Sequence, residues 1–212
     1  MIDPKCKSFE SYCIKGHYSD IKTQYFHLKT GFNIRKWPNA IIHVLRTSGN
    51  RMNEPKTHEI GQIAPQFNCV DSNGEMHDLS AYSAAGQKII LYFYPRDSTP
   101  GCTTQACDFR DNMAQLASHG YVVLGVSKDS EGSHEKFIGR QSLNFPLLMD
   151  TEGALHEAYG TWRLKKNYGR EYMGCSRSTF VIGPDGTFSW LRYNVKAKGH
   201  VGMLLRELGL GE

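Results

Sequence analysis

The chain has 212 residues, with 25 Lys and Arg against 21 Asp and Glu; 40% of residues are hydrophobic and 22% charged. That composition excludes a disordered or fibrous chain, no apolar run approaches the 18 residues of a membrane span, and the length suits one domain with an appendage. The basic excess is uneven: residues 1–51 hold nine Lys and Arg against three Asp and Glu (+6), and residues 52–212 hold sixteen against eighteen (−2). The basic character belongs to the first quarter of the chain, so the overall charge gives no support to a nucleic-acid binder.

Residues 1–51 show no clean helical or strand period. They read as a loosely ordered basic extension, or as sequence upstream of a native start at Met52, with the patterned domain covering 52–212. There is no apolar secretory segment behind Met1, and a reducing, cytoplasmic setting is expected. From residue 56 the pattern is α/β. Phe67–Val70 and Glu75–Leu79 read as a hairpin around the turn Asp71-Ser72-Asn73-Gly74. Ile89–Tyr94 is a continuous apolar run suited to a central strand buried on both faces. Cys102, Ala106, Phe109, Met113 and Leu116 recur at spacings of 4, 3, 4 and 3, one face of a helix. Tyr121–Val126 is a second buried strand, Ser133–Gln141 a helix and Phe145–Met149 a weaker strand. Arg163, Lys165 and Lys166 read as a solvated loop. Ser178–Ile182 and Thr187–Tyr193 flank the turn Gly183-Pro184-Asp185-Gly186, and His200–Leu208 closes as a helix. Strands alternate with helices and end in a hairpin, which argues for an α/β fold with a central mixed sheet and helices on both faces.

The six cysteines are Cys6, Cys13, Cys69, Cys102, Cys107 and Cys175. A chain long enough for a core does not need a disulfide framework. The spacing of Cys102 and Cys107 does not suit structural zinc, and the histidines show no ligand spacing. Cys69 reads as packing and Cys175 as structural, with a role as a second disulfide partner left open. Cys102 stands out by position. It follows Pro95-Arg96-Asp97-Ser98-Thr99-Pro100-Gly101, beyond the carboxyl end of a buried strand, where open α/β sheets place their sites. With Thr99 as N-cap and Pro100 at the first helical position, Cys102 falls in the first turn. Unpaired backbone N–H groups and the helix dipole there favour thiolate, the nucleophilic form. Cys107 lies five residues on, about 7.5 Å of rise and 140° of rotation along a helix. A disulfide needs Cα atoms within about 7 Å and converging Cβ vectors. The two sulfurs therefore bond only if the first turns unwind, and oxidation of Cys102 to sulfenic acid followed by capture by Cys107 is the natural route.

Pro95…Thr99…Cys102 resembles the peroxiredoxin active-site motif. The longer run Thr99-Pro100-Gly101-Cys102-Thr103…Ala106-Cys107 with Arg110-Asp111-Asn112, and Tyr172-Met173-Gly174…Arg177-Ser178-Thr179-Phe180-Val181-Ile182, resemble the bacterioferritin-comigratory, or peroxiredoxin Q, subfamily. The resemblance covers about residues 56–212. It implies a thioredoxin-like fold and reduction of hydrogen peroxide and organic hydroperoxides, with thioredoxin as reductant and no metal, haem or nucleotide. It also implies a role for each matched residue. Cys102 is the peroxidatic cysteine and Cys107 the resolving one, joined in an intramolecular redox disulfide. Thr99 hydrogen-bonds the peroxide, Arg177 stabilises the thiolate and the charge developing on oxygen, and Pro95 shields the pocket. The backbone N–H of Cys102 helps bind peroxide. If Ser178–Ile182 runs antiparallel to Ile89–Tyr94, Arg177 meets Cys102. Thr99 as a cap and Pro95 as a strand terminator are the plainer roles of those residues. Resolution within one chain needs no partner subunit, so a monomer is expected. Two other functions compete. A different thioredoxin-fold disulfide oxidoreductase would want Cys-x-x-Cys, but position 105 is Gln. A non-enzymatic binding module would use the basic N-terminus.

Overall fold

The computed structural model describes residues 56–211 apart from residue 168; the expectations for residues 1–51 and for a domain start at Met52 lie outside them. In chain order the elements begin with strands β1 (Asn68–Val70) and β2 (Met76–Asp78), helix α1 (Leu79–Ala84), strand β3 (Lys88–Phe93) and helix α2 (Pro100–Ser118). Strand β4 (Tyr121–Ser127), helix α3 (Glu131–Gln141), strand β5 (Leu147–Met149) and helix α4 (Ala154–Ala158) follow. The chain continues through β6 (Trp162–Asn167), β7 (Arg170–Cys175), β8 (Ser178–Ile182) and β9 (Phe188–Arg192) to helix α5 (His200–Glu207).

Five strands form the central sheet, in the order β5-β4-β3-β8-β9. β4 runs parallel to β3 and β5 parallel to β4, whereas β8 runs antiparallel to β3 and β9 to β8. The sheet is thus mixed. Its centre, β3, explains the layering, because successive side chains point to opposite faces. Ile90, Tyr92 and Tyr94 pack with Phe109 of α2, Phe137 of α3 and Leu204 of α5. Ile89, Leu91 and Phe93 pack with Leu79 of α1, Leu155 of α4 and Tyr159. Helices therefore cover both faces of the sheet. Gly125 in β4 leaves room for this packing, since a Cβ there would sit 2.6 Å from Leu147 Cδ2 and 2.9 Å from the Tyr92 hydroxyl.

Four elements escape the sequence pattern. Helices α1 and α4 are six and five residues long, too short to show a helical period. The stretch containing Arg163, Lys165 and Lys166 is not a loop but strand β6, paired antiparallel with β7 from Trp162↔Cys175 to Asn167↔Arg170. Leu164, Tyr172 and Met173 of this two-stranded ribbon are exposed. Beyond its base, where Cys175 is buried and Trp162 packs against the core, the ribbon turns no face to a core and has no reason to alternate apolar and polar residues. Nor is Arg163 merely solvated: it donates through Nε to Gly160 O at 2.6 Å and lies 4.1 Å from the centre of the Tyr193 ring.

His200 docks α5 on the sheet. It is 3% exposed, with Nε2 2.8 Å from Thr179 Oγ1 in β8. Burial, and then the positive charges of Arg177 and Arg192, push its pKa down to about 4. An unfolded histidine titrates near 6.5, so the folded state resists a proton that the unfolded state accepts. The stability due to neutral His200 is complete above pH about 6.5 and is lost as the pH falls towards 4, on the order of 3 kcal/mol in all. Urea unfolding across this range should show that decline in the wild type and a flatter profile in His200→Gln.

Candidate active site

The loop after β3 and the first turn of α2 carry the motif. Phe93 pairs with Ser178, so the end of β3 lies beside the start of β8, and Arg177 sits one residue before that start. Its backbone is fixed by Val195 N–H, which donates to Arg177 O at 2.9 Å. From there Arg177 Nη2 reaches Cys102 Sγ at 3.1 Å, and Nη1 donates to Gln105 Oε1 at 2.6 Å. Cys102 is 1% exposed. The first helical hydrogen bond of α2 runs from Thr103 N–H to Thr99 O at 2.8 Å. The N–H groups of Gly101 and Cys102 precede that ladder and remain as donors at the positive end of the helix. The sulfur thus meets a permanently charged donor at a helix start, next to spare N–H groups that can receive an oxygen on which charge develops.

Thr99 is the N-cap residue, followed by Pro100 at the start of the helix, but its side chain does not cap. The hydroxyl donates backwards to Arg96 O at 3.0 Å. Donation to a substrate would require the hydroxyl to turn. Pro95 lies exposed just beyond β3, outside the ladder. Cys107 is half-buried on α2, its sulfur 3.6 Å from Gln141 Oε1. Both cysteines are free thiols on a continuous helix. Cys175 is 4% exposed, and burial, only partly offset by Lys165 and Arg177, pushes its thiol up to about 12. Burial and Asp150 push Cys69 up to about 11. Both stay protonated near neutrality, which makes them poor nucleophiles.

Two parts of the site were not evident from sequence. Gln105 entered the sequence argument only as evidence against Cys-x-x-Cys, yet it is fully buried and orients Arg177. The signal was its place one helical turn from Cys102, a polar side chain beside an apolar stripe. The second part is the anchor of the loop. Asp97 accepts from Tyr94 OH at 2.8 Å, Ser133 Oγ at 2.7 Å and His134 Nδ1 at 2.9 Å. Its own N–H donates to Asp129 Oδ2 at 2.9 Å, and Ser127 Oγ donates to the same oxygen at 2.8 Å. Burial raises the Asp97 pKa, but the bonds and charge of His134, with Ser133 and Tyr94, hold it below the usual carboxylate value. Ser98 follows with φ 56°, a left-handed conformation that such anchoring sustains. Elsewhere, on the β1–β2 hairpin, Asp71, Glu75 and His77 each bring a ligand atom within 4.8 Å of the others. Asp71 Oδ1 is already taken by the N–H groups of Asn73 and Glu75, and His77 Nδ1 lies 2.5 Å from Tyr82 OH.

A family profile described as AhpC/TSA matches residues 60–190. The chain is 49% identical over 152 residues to a peroxiredoxin Bcp of Bacillus subtilis, covering 72% of this chain and 96% of that protein. The chain belongs to the AhpC/TSA family. It is a peroxiredoxin, and a peroxiredoxin Bcp of Escherichia coli is 38% identical over 148 residues, covering 70% of this chain and 94% of that one. Solved structures agree. A cysteine-to-serine mutant of peroxiredoxin Q from Xylella fastidiosa superposes with a TM-score of 0.68 at 33% identity, covering 73% of this chain and 98% of that one. The bacterioferritin comigratory protein of Xanthomonas campestris, studied for alkyl peroxide reduction, gives 0.63 at 36% identity, covering 68% and 90%. The fold of this peroxiredoxin is thioredoxin-like, as in these neighbours, with a mixed sheet and helices on both faces.

Arg177→Met keeps an unbranched apolar stem and removes the charge and donors of the side chain. The reaction of this variant with hydrogen peroxide, followed in a single turnover of reduced protein, should slow by about 10²–10³-fold, the cost of removing a preorganised donor. A rate within about threefold of wild type would show that the contact with sulfur does not drive the reaction.

Proposed function

We propose that in this thiol peroxidase Cys102 is the peroxidatic residue, Cys107 resolves it, and a thioredoxin-type dithiol returns the enzyme to its reduced state. The observation that carries this reading is the Arg177 Nη2 contact with Cys102 Sγ, 3.1 Å long, at the N-terminus of α2. The Cys102 thiolate attacks one oxygen of the peroxide; the O–O bond breaks, Cys102 becomes sulfenic acid, and the other oxygen leaves as water or alcohol after taking a proton. Arg177 and the N–H groups of the first turn steady the negative charge as it passes from sulfur to oxygen. Cys107 then attacks the sulfenic sulfur, forming the Cys102–Cys107 disulfide and releasing water. The high pKa of the Cys175 thiol favours Cys107 over Cys175 as the resolving group.

The substrates are hydrogen peroxide and organic hydroperoxides, in keeping with the alkyl peroxide reduction studied in the Xanthomonas relative. The cycle closes within one chain, so a monomer suffices, and a reducing compartment such as the cytoplasm supplies the dithiol. Peroxide consumption coupled to thioredoxin and its reductase tests the assignment. Cys102→Ser should abolish it. Cys107→Ser should consume about one equivalent of peroxide per chain and then stop. Full turnover in Cys102→Ser would contradict the peroxidatic assignment, and full turnover in Cys107→Ser the resolving one.

A further inference from the structure

Cys107 shares its surroundings with two groups that the cycle above does not use. Its sulfur lies 3.6 Å from Oε1 of Gln141, the last residue of α3. Arg110, one helical turn further along the same face of α2, donates through Nη1 to the backbone oxygen of Gln141 at 2.5 Å. Asn144 Nδ2 donates to Arg110 O at 3.3 Å. The guanidinium also forms an ion pair with the exposed Asp111 through Nε and Nη2, each 2.8 Å from Oδ1. The stretch from Cys107 to Arg110 is thus tied to the C-terminal end of α3. The turn that holds Cys102 is tied elsewhere, through Arg177, to the junction of β7 and β8.

Resting on the assignment of Cys102 and Cys107 as the redox pair, we infer that Arg110 is a positioning residue for the resolving step. It keeps α2 from Cys107 onward seated on α3 while the first turns unwind, and it places a positive charge beside the attacking sulfur. The step is balanced within the chain. The Cys107 thiol gives its proton to solvent, and its sulfur attacks the Cys102 sulfenic sulfur and is oxidised as that sulfur is reduced. The departing hydroxide takes a proton to become water. Arg110 has no part in the earlier attack on peroxide, so the two steps respond differently to its removal.

The test is a rapid-quench experiment on reduced wild type, Arg110→Gln and Arg110→Lys mixed with one equivalent of hydrogen peroxide. Sulfenic acid, disulfide and sulfinic acid are counted by trapping and mass spectrometry. Sulfenic acid should form at the wild-type rate in all three. Disulfide formation should slow by about tenfold in Arg110→Gln, the loss of one charge-assisted contact, and recover substantially in Arg110→Lys. Under excess peroxide Arg110→Gln should accumulate more sulfinic acid at Cys102. A wild-type rate of disulfide formation in Arg110→Gln, or an equal slowing of both steps, would overturn the role of Arg110. Failure of the wild type to form the Cys102–Cys107 disulfide would overturn the pairing, and the role of Arg110 with it.

Discussion

Two thiols five residues apart on one helix cannot bond while the helix stands, and this constraint organises the chemistry of the chain. In the cycle proposed above, the helical start serves the first half. It presents Cys102 to Arg177 and to free N–H groups, where a peroxide oxygen finds donors. The second half of the cycle needs that same start to come apart. One segment must therefore be well formed when peroxide arrives and must yield once Cys102 is oxidised. Its bonds suit such a role. The first turn opens on the backbone bond from Thr103 N–H to Thr99 O and carries the Thr104 hydroxyl on Pro100 O and the Arg177 contacts. Oxidation of the sulfur weakens the last of these, because a neutral sulfenic acid attracts the guanidinium less than a thiolate does.

What surrounds the yielding segment is fixed. Before it, Asp97 binds the loop to Tyr94, Ser133, His134 and Asp129. Beside it, β8 carries Arg177 on the central sheet, next to the buried end of β3. After it, Phe109 and Leu116 are buried against the sheet and Arg110 reaches α3. In the proposed cycle these contacts confine unwinding to the turns between Thr99 and Cys107. In the proposed cycle the buried, protonated thiols Cys69 and Cys175 stand outside the exchange, which leaves Cys107 as the partner of Cys102 among the described residues.

Much of this could be read from the residues alone. The run Ile89–Tyr94 had to be a strand covered on both faces, and the Cys102-to-Leu116 periodicity had to be a helix laid on one of them. The position of Cys102 at a helix start, and the turn around Pro184, are local signals that tertiary packing did not alter. Other features depended on contacts distant in sequence. His134 is 37 residues from Asp97, and nothing in its own neighbourhood marks it as the anchor of a loop. Gln105 acquires its role only when Arg177, 72 residues away, arrives beside it. The Thr99 hydroxyl turns back to Arg96, where its helical position suggested a cap, because the choice between local acceptors depends on the loop's path. The β6–β7 ribbon was hidden for a different reason, since strands buried only at their base leave no alternation to read.

The central claim is that disulfide formation requires the start of α2 to unwind and leaves the remainder in place. Amide hydrogen exchange of the reduced protein and of the peroxide-oxidised protein, with the Cys102–Cys107 linkage verified in the same sample by peptide mapping, tests it most directly. Oxidation should abolish protection between residues 103 and 107 while residues 109–118 keep theirs. Protection unchanged along α2 in a protein carrying that disulfide would contradict the account.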